Sequence, residues 1–428
     1  MQIHVVQSGD SLYSIANMYT ITPDVITAAN QIEADQTLVV GQTLVIPIQG
    51  SYYWVKPRDN LYSIAQKFGL NFNALSQINQ WPIERPLPVG FRLYIPPQPK
   101  RMGTFKAYIE PRDGVSEVLK NAAREAAPYL TYIAPYSFQV NEGGSLTPPS
   151  LDDLGSIAAE DGALLMMVIS NLSGAQFSPE IASNIFYNKE LQDTFINNIV
   201  LTAKQLGFSH IVFNFELIRA EDREAYNQFL RNATKVLHEE GFLVSTTLAP
   251  KTSAEQTGLW NVAHDYKAHG EIVDYVFIMT YDWGNWAGPP MPVSPINEVR
   301  KVLEYALSEI PAHKIIMGQN LYGYDWTLPY EPGGEFAKAL SPQGAINLAR
   351  ERNEAIQFDD VAQAPFFKYI DDLGNEHEVW FEDARSIQAK FNLIKELNLA
   401  GMGYWKLGLS FPQNWLLLGD NFNVSKLM

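Results

Sequence analysis

The sequence predicts an α/β protein built on a (β/α)8 TIM barrel, with an α+β insertion between the seventh and eighth strands and two small βααβ units in front. Three observations carry that expectation. A segment near the N-terminus repeats at constant spacing, a proline-rich hexamer follows the second copy, and eight apolar runs alternate with amphipathic helical stretches over the remainder. A doubly wound open sheet is the competing arrangement of the same alternation.

The repeat is the clearest element. Val6, Asp10, Leu12-Tyr13-Ser14-Ile15-Ala16, Asn30, Leu38, Val40-Gly41, Leu44 and Ile46-Pro47 return as Val55, Asp59, Leu61-Tyr62-Ser63-Ile64-Ala65, Asn79, Leu87, Val89-Gly90, Leu93 and Ile95-Pro96, always 49 residues later. Each copy reads as a short β run, a helix opening at Asp-Ser or Asp-Asn, a second helix opening near Pro23 or Asn73, and a closing strand ending in Ile-Pro. Residues 1–48 and 50–97 are the expected units. Asp10 and Asp59 suit helix N-caps, while Leu12, Ile15 and Ile64 suit a core. Pro96-Pro97-Gln98-Pro99-Lys100-Arg101 suits a short stiff spacer, which places a linker over 98–102 and the large domain over 103–428.

Within the large domain the expected strands are Phe105 to Ile109, Thr131 to Pro135, Leu164 to Ile169, Ile211 to Phe215, Leu243 to Leu248, Val273 to Thr280, Ile315 to Gln319 and Met402 to Trp405. Helices such as Glu190 to Leu206, Ala220 to Glu240 and Ile296 to Glu309 separate them, which is the rhythm of repeated βα units. An insertion over about 326–383 holds two more strands, around Phe366 to Ile370 and Glu378 to Phe381, joined at Asp372-Leu373-Gly374-Asn375 as a hairpin.

Composition narrows the function classes. With 428 residues and 46% hydrophobic content the chain can fill two or three cores. Its charge of -16 is uneven, since the first 100 residues hold six basic and six acidic side chains and the rest hold 25 and 41. Such a field disfavours nucleic acid and anionic membrane as partners and is indifferent to a neutral sugar polymer. The absence of cysteine excludes disulfides and thiol chemistry. No signal-peptide pattern and no apolar run approaching 18 residues is visible. No His/Asp/Glu cluster stands at ligand spacing, so neither metal nor cofactor is expected, and the working form is expected to be a monomer.

Candidate chemistry sits where a barrel keeps it, at the C-terminal ends of the strands. Strand four ends Phe213-Asn214-Phe215-Glu216, and alternation turns Asn214 and Glu216 toward the mouth with Phe213 and Phe215 toward the helices. A lone carboxyl ending a very apolar strand is suited to a raised pKa and to general-acid work. Its competing role is an acidic cap for the helix near Ala220. Strand six ends Met279-Thr280-Tyr281-Asp282-Trp283 and strand eight ends Gly403-Tyr404-Trp405, supplying a phenol, a second carboxylate and rings that stack on sugars. Tyr108, Gln319 and Tyr322, near other strand ends, are further substrate contacts, with core packing as their alternative.

Two resemblances now enter. The Gly-Asp-Ser-Leu-x-x-Ile-Ala opening, which returns as Arg-Asp-Asn-Leu-x-x-Ile-Ala, and the repeated Val-Gly-x-x-Leu-x-Ile-Pro ending closely resemble the LysM module, which implies a sugar groove at Gly9, Asp10, Ser11, Leu12, Asn30 and Ile32, and at Asp59, Asn60, Leu61 and Asn79. Arg58 replaces Gly9 in the second copy. The barrel resembles glycoside hydrolase family 18, including the spore cortex-lytic N-acetylglucosaminidases, because Met279, Tyr281, Asp282 and Trp405 match the family's strand-six and strand-eight motifs. Its strand-four motif, Asp-Gly-x-Asp-x-Asp-x-Glu, is eroded to Ser209, Val212 and Asn214, with only Glu216 kept.

The resemblance implies a peptidoglycan or other N-acetylglucosamine-containing glycan as substrate, cleaved with retention by a substrate-assisted route in which the 2-acetamido oxygen attacks. Glu216 is then the proton donor, Asn214 and Tyr281 hold the acetamide, Asp282 supports them, and Trp405 with Met279 floors the subsite. Asn214 can orient the acetamide but supplies no negative charge, a substitution that family-85 enzymes resemble. A spore (coat/cortex) location fits the missing export signal, and a cytoplasmic one fits it equally well. A non-catalytic glycan-binding barrel and a chitinase are the competing functions.

Overall fold

The repeated sequence folds twice into the same βααβ pattern in the computed structural model, which describes residues 1–426. In the first copy Gln2–Val5 pairs antiparallel with Thr43–Ile46, and in the second Ser51–Trp54 pairs with Arg92–Ile95 in the same register. Helices Leu12–Tyr19 and Pro23–Asn30, then Leu61–Lys67 and Phe72–Ile78, cover these ribbons. The repeated apolar positions close one small core per copy, around Ile15, Ile26 and Leu44 and around Ile64, Leu75 and Leu93.

The helix caps stand one residue later than the sequence suggests. Ser11 and Asn60 accept the backbone N–H of Ser14 and Ser63, whose hydroxyls return to the cap backbone, so both helices open with a capping box. Asp10 and Asp59 lie just too early for that geometry. They accept the backbone N–H of Gln7 and Lys56 instead, and pin the turn that precedes each helix.

The described residues from Met102 onward form the second unit. Its strands Arg101–Ile109, Tyr132–Pro135, Leu164–Ser170, His210–Asn214, Leu243–Leu248, Tyr275–Ile278, Ile315–Asn320 and Gly401–Trp405 pair in parallel in that order. The eighth pairs with the first through Met402 opposite Phe105, and the third pairs with the fourth through Ser170 opposite Asn214, so the sheet closes into a barrel. The expected linker is shortened at its end. The first strand begins at Arg101 because the C-terminal strand Phe422–Val424 pairs with it and extends its ladder.

The insertion is a five-stranded antiparallel sheet with helix Pro342–Glu351. It starts at Gly323, three residues before the expected boundary, since strand Gly323–Leu328 follows the seventh barrel strand after only Leu321 and Tyr322. The expected hairpin is Ala364–Ile370 paired with Glu376–Trp380, and Gly374 takes a φ of 88° in its turn. Among the described residues no helix is long and apolar enough to cross a membrane.

Candidate active site

Strand four organises the mouth of the barrel. Phe213 and Phe215 point outward onto Phe229, with ring centroids 5.2 and 6.0 Å away, and Phe215 stacks beside Tyr226. Alternation therefore turns Asn214 and Glu216 inward, where they are 3% and 9% exposed. Asn214 Nδ2 donates to Glu216 Oε1 at 2.9 Å and to Tyr136 Oη at 3.1 Å, and Thr247 Oγ1 donates to Asn214 Oδ1 at 2.5 Å.

Burial dominates the acid's electrostatics. Desolvation pushes the Glu216 carboxyl up to about 7, a rise increased by the nearby Asp282 carboxylate and partly offset by the Asn214 hydrogen bond. The helix-cap alternative fails on geometry, because the turn Ala220–Asp222 is entered from Arg219 and has no side-chain cap.

The aromatic half of the site comes from strands six and eight. Tyr281, Met279 and Trp405 are partly buried against the barrel's inner cluster of Tyr108, Val212, Phe277 and Ile316. Gly318 makes room for this: a Cβ there would lie 2.5 Å from the Ile278 carbonyl oxygen and 3.0 Å from Tyr281 Cε1. The Tyr281 hydroxyl makes no hydrogen bond among the described residues, and burial keeps it protonated as a donor. Trp405 packs edge-on against Tyr136 at 4.9 Å and Tyr108 at 5.5 Å, which fixes the plane of its indole.

Asp282 adopts a left-handed backbone, φ 65°, and accepts the Tyr322 hydroxyl at 2.6 Å. Solvent reaches this residue from the cleft although protein walls most of its surroundings, and desolvation holds its carboxyl above the ordinary range against the Tyr322 hydrogen bond. Site carboxyls that ionise late, beside a phenol that stays protonated, are arranged to give and hold protons near neutral pH.

Three expected substrate contacts belong to the scaffold instead. Tyr108 is 1% exposed and its hydroxyl accepts from Lys106 Nζ, which is itself buried. Gln319 is fully buried, with its amide donating to the Asn320 carbonyl oxygen. Tyr322 is 5% exposed and serves Asp282. Interior-facing positions of a small barrel are filled by side chains, so a polar residue at a strand end is not thereby open to a ligand.

The module candidates divide in the same way. Gly9, Ser11 and Asn60 are exposed, and Asp10 and Asp59 half-buried, in the loops before the first helices, while Leu12, Ile32 and Leu61 are buried in the cores. Arg58 keeps the left-handed backbone of Gly9, φ 74° against 89°, so the loop shape survives the exchange. Asn30 and Asn79 spend their side-chain amides on the backbone. Asn30 donates to the carbonyl oxygens of Ile26 and Val45 and accepts the Val45 N–H, all at 2.8 Å, and Asn79 treats Leu75 and Tyr94 alike.

Sequence reasoning missed Tyr136, Thr247 and Asn171. Tyr136 directly follows the second strand, so the strand-end rule applied there finds it. Thr247 and Asn171 declare themselves only once the strand register is known, because both act on strand four from its neighbours.

The family described as glycosyl hydrolases family 18 matches residues 135–409, and the LysM domain matches residues 4–47 and 53–96. The cortical fragment-lytic enzyme of Bacillus subtilis (strain 168) is 61% identical over 427 residues, which span 100% of this chain and 99% of that protein. The crystal structure of the spore cortex-lytic enzyme SleL of Bacillus megaterium QM B1551 superposes with a TM-score of 0.91 at 53% identity, covering 100% of this chain and 99% of its own. That of Bacillus cereus SleL gives 0.92 at 48% identity, covering 99% and 98%.

Proposed function

We propose, from the premise that this chain belongs to glycosyl hydrolases family 18 and carries two LysM domains, that it hydrolyses N-acetylglucosaminyl linkages in spore cortex peptidoglycan during germination. The observation that carries the reading is one buried carboxyl, Glu216, kept protonated near neutral pH and hydrogen-bonded to the amide that would address an acetamide. End-to-end similarity to proteins named cortical fragment-lytic and spore cortex-lytic supports the choice of polymer. The LysM domains support wall glycan as the partner, and spore association follows from it.

In this reading Glu216 donates its proton to the glycosidic oxygen as the C1–O bond breaks. The substrate's acetamide oxygen closes onto C1, and water then opens the oxazolinium ion with Glu216 as base, so the anomeric configuration is retained. Asn214 Oδ1 has one lone pair engaged by Thr247 and a second available for the acetamide N–H, while the unengaged Tyr281 hydroxyl donates to the acetamide oxygen. With Val212 and Asn214 replacing two family carboxylates, Asp282 is the remaining negative group that can support the oxazolinium ion. Trp405 and Met279 form the floor.

The test is digestion of isolated cortex glycan, followed by counting new reducing ends and identifying products by mass spectrometry. Terminal reducing N-acetylglucosamine with retained configuration is expected. A Glu216→Gln protein that cleaves at the native rate sinks the acid assignment, and a native protein that binds glycan without cutting it favours the non-catalytic barrel.

A further inference from the structure

Glu216 sits beyond the protection of its own strand. The ladder between strands three and four ends at Ser170 opposite Asn214, and Leu217, the residue after Glu216, already has a left-handed φ of 55°. Backbone groups at such a point must find other partners or remain unpaired in the interior. Here the missing ladder is replaced by a side chain.

Asn171, fully buried, accepts the Glu216 N–H on Oδ1 at 2.9 Å and donates from Nδ2 to the Glu216 carbonyl oxygen at 2.8 Å. The same Nδ2 reaches the Ser178 carbonyl oxygen at 3.0 Å, and the Ser178 N–H returns to the Asn171 carbonyl oxygen at 2.8 Å. Ser178 caps helix Pro179–Tyr187, so the clamp is anchored in regular structure. From the other side His264 Nε2 holds the Phe215 carbonyl oxygen at 3.1 Å while its Nδ1 accepts the Ala249 N–H at 2.9 Å. These two bonds assign the proton to Nε2, and burial keeps the ring neutral. Both peptide groups flanking the Glu216 Cα are therefore fixed, by Asn171 just after strand three and by His264 in the turn before helix Tyr266–Ile272.

We infer that Asn171 is a positioning residue, which holds the backbone of Glu216 so that its carboxyl stays directed into the buried mouth beside Asn214. The inference rests on the reading of Glu216 as the acid and extends it to a residue that touches no substrate. Among the described residues Asn171 makes no hydrogen bond to the carboxyl itself, so its hold on Glu216 is through the main chain. Loss of such a clamp costs rate rather than affinity, since a misplacement of about 1 Å is worth about 100-fold in a proton-transfer step.

The experiment compares Asn171→Ala and Asn171→Asp with the native enzyme on cortex glycan across pH, alongside thermal unfolding. For the alanine variant kcat is expected to fall about 10- to 100-fold with KM within about two-fold. The alkaline limb of its profile should move to lower pH, because a carboxyl released toward water loses its desolvation. The aspartate variant, when protonated, can accept the Glu216 N–H and donate its one hydrogen to the Glu216 carbonyl oxygen, giving up the Ser178 bond, so it recovers part of the rate at acid pH and loses it as the new carboxyl ionises.

An alanine variant with native kcat and a native alkaline limb overturns the inference. So does a loss confined to KM, or an aspartate variant no better than alanine at acid pH. If the alanine protein does not fold, the pH-dependent rescue of the aspartate protein decides. Glu216→Gln in parallel separates the two readings. Native activity there removes the acid assignment whatever Asn171 does, whereas an inactive Glu216→Gln with an unaltered Asn171→Ala removes the clamp alone.

Discussion

The modules and the barrel use the same device for different ends. Asn30 in the first module and Asn171 in the barrel each pair their side-chain amide with both the N–H and the carbonyl of one distant residue, Val45 and Glu216, and each gives its second amide hydrogen to a further carbonyl. In the module the stapled residue is a buried strand valine. In the barrel it is Glu216, the acid we propose. On the proposed reading, an identical hydrogen-bond pattern contributes to stability in one region and to the placement of a reacting group in the other, and only the identity of the stapled residue separates them.

The largest effect that sharpens this contrast is on chemistry. Glu216→Gln should lower kcat on cortex glycan by about 100- to 10,000-fold, the usual share of a general acid, while glycan binding by the isolated step of adsorption stays native. Retained turnover would break the comparison at its functional end.

The next is a stability signature of the same residue. Its folded pKa, about 7, lies above the ordinary 4.5, so the protonated form favours the fold below about 4.5 and that advantage is withdrawn across the window up to about 7. At pH 8 Glu216→Gln should therefore be more stable than the native barrel, by at most about 3 kcal/mol, and near-equal at pH 4. Thermal unfolding at the two pH values checks the sign.

Asn30→Ala should cost the N-terminal unit about 1–3 kcal/mol, since it leaves buried Val45 groups without partners, and should leave kcat on a short soluble glycan fragment unchanged. The more solvent-reached Asn79 should cost less when replaced in the same way. Denaturant unfolding with an activity assay on one sample measures both. Smallest is Thr247→Val, which deletes the donor to Asn214 Oδ1 and should lose about 1 kcal/mol of transition-state binding, several-fold in kcat, with the fold intact.

The repeat and the eight strands were legible because each is a pattern in one dimension: a fixed 49-residue offset, and apolar runs separated by helical periods. The placement of Glu216, Tyr281, Asp282 and Trp405 at the barrel mouth was legible for a related reason, since the rule that strand ends face the mouth needs no knowledge of neighbours. What the rule could not do was tell an open polar residue from a consumed one. Asn30 stands close to the module loops, yet its amide is spent on Val45. Gln319 ends a strand, yet it is sealed inside. Asn171 and Thr247 required the register between strands, and the Asp10 cap slipped by one residue because Ser11 is equally suited and better placed.

One contact within the N-terminal unit has a consequence for how glycan is held. The Arg92 guanidinium lies 4.3 Å over the Tyr52 ring and donates to the Met18 carbonyl oxygen, while Tyr52 stacks on Tyr19, so the second module rests on the first. On the proposed reading that both LysM copies bind glycan, two grooves kept at one separation act as a bivalent ruler: once the first has captured a strand, the second meets it at high effective concentration, and avidity exceeds either affinity. Arg92→Ala should thus weaken adsorption to long glycan while leaving the affinity for a short oligosaccharide untouched, and equal losses on both would show that the spacing is not what is being read.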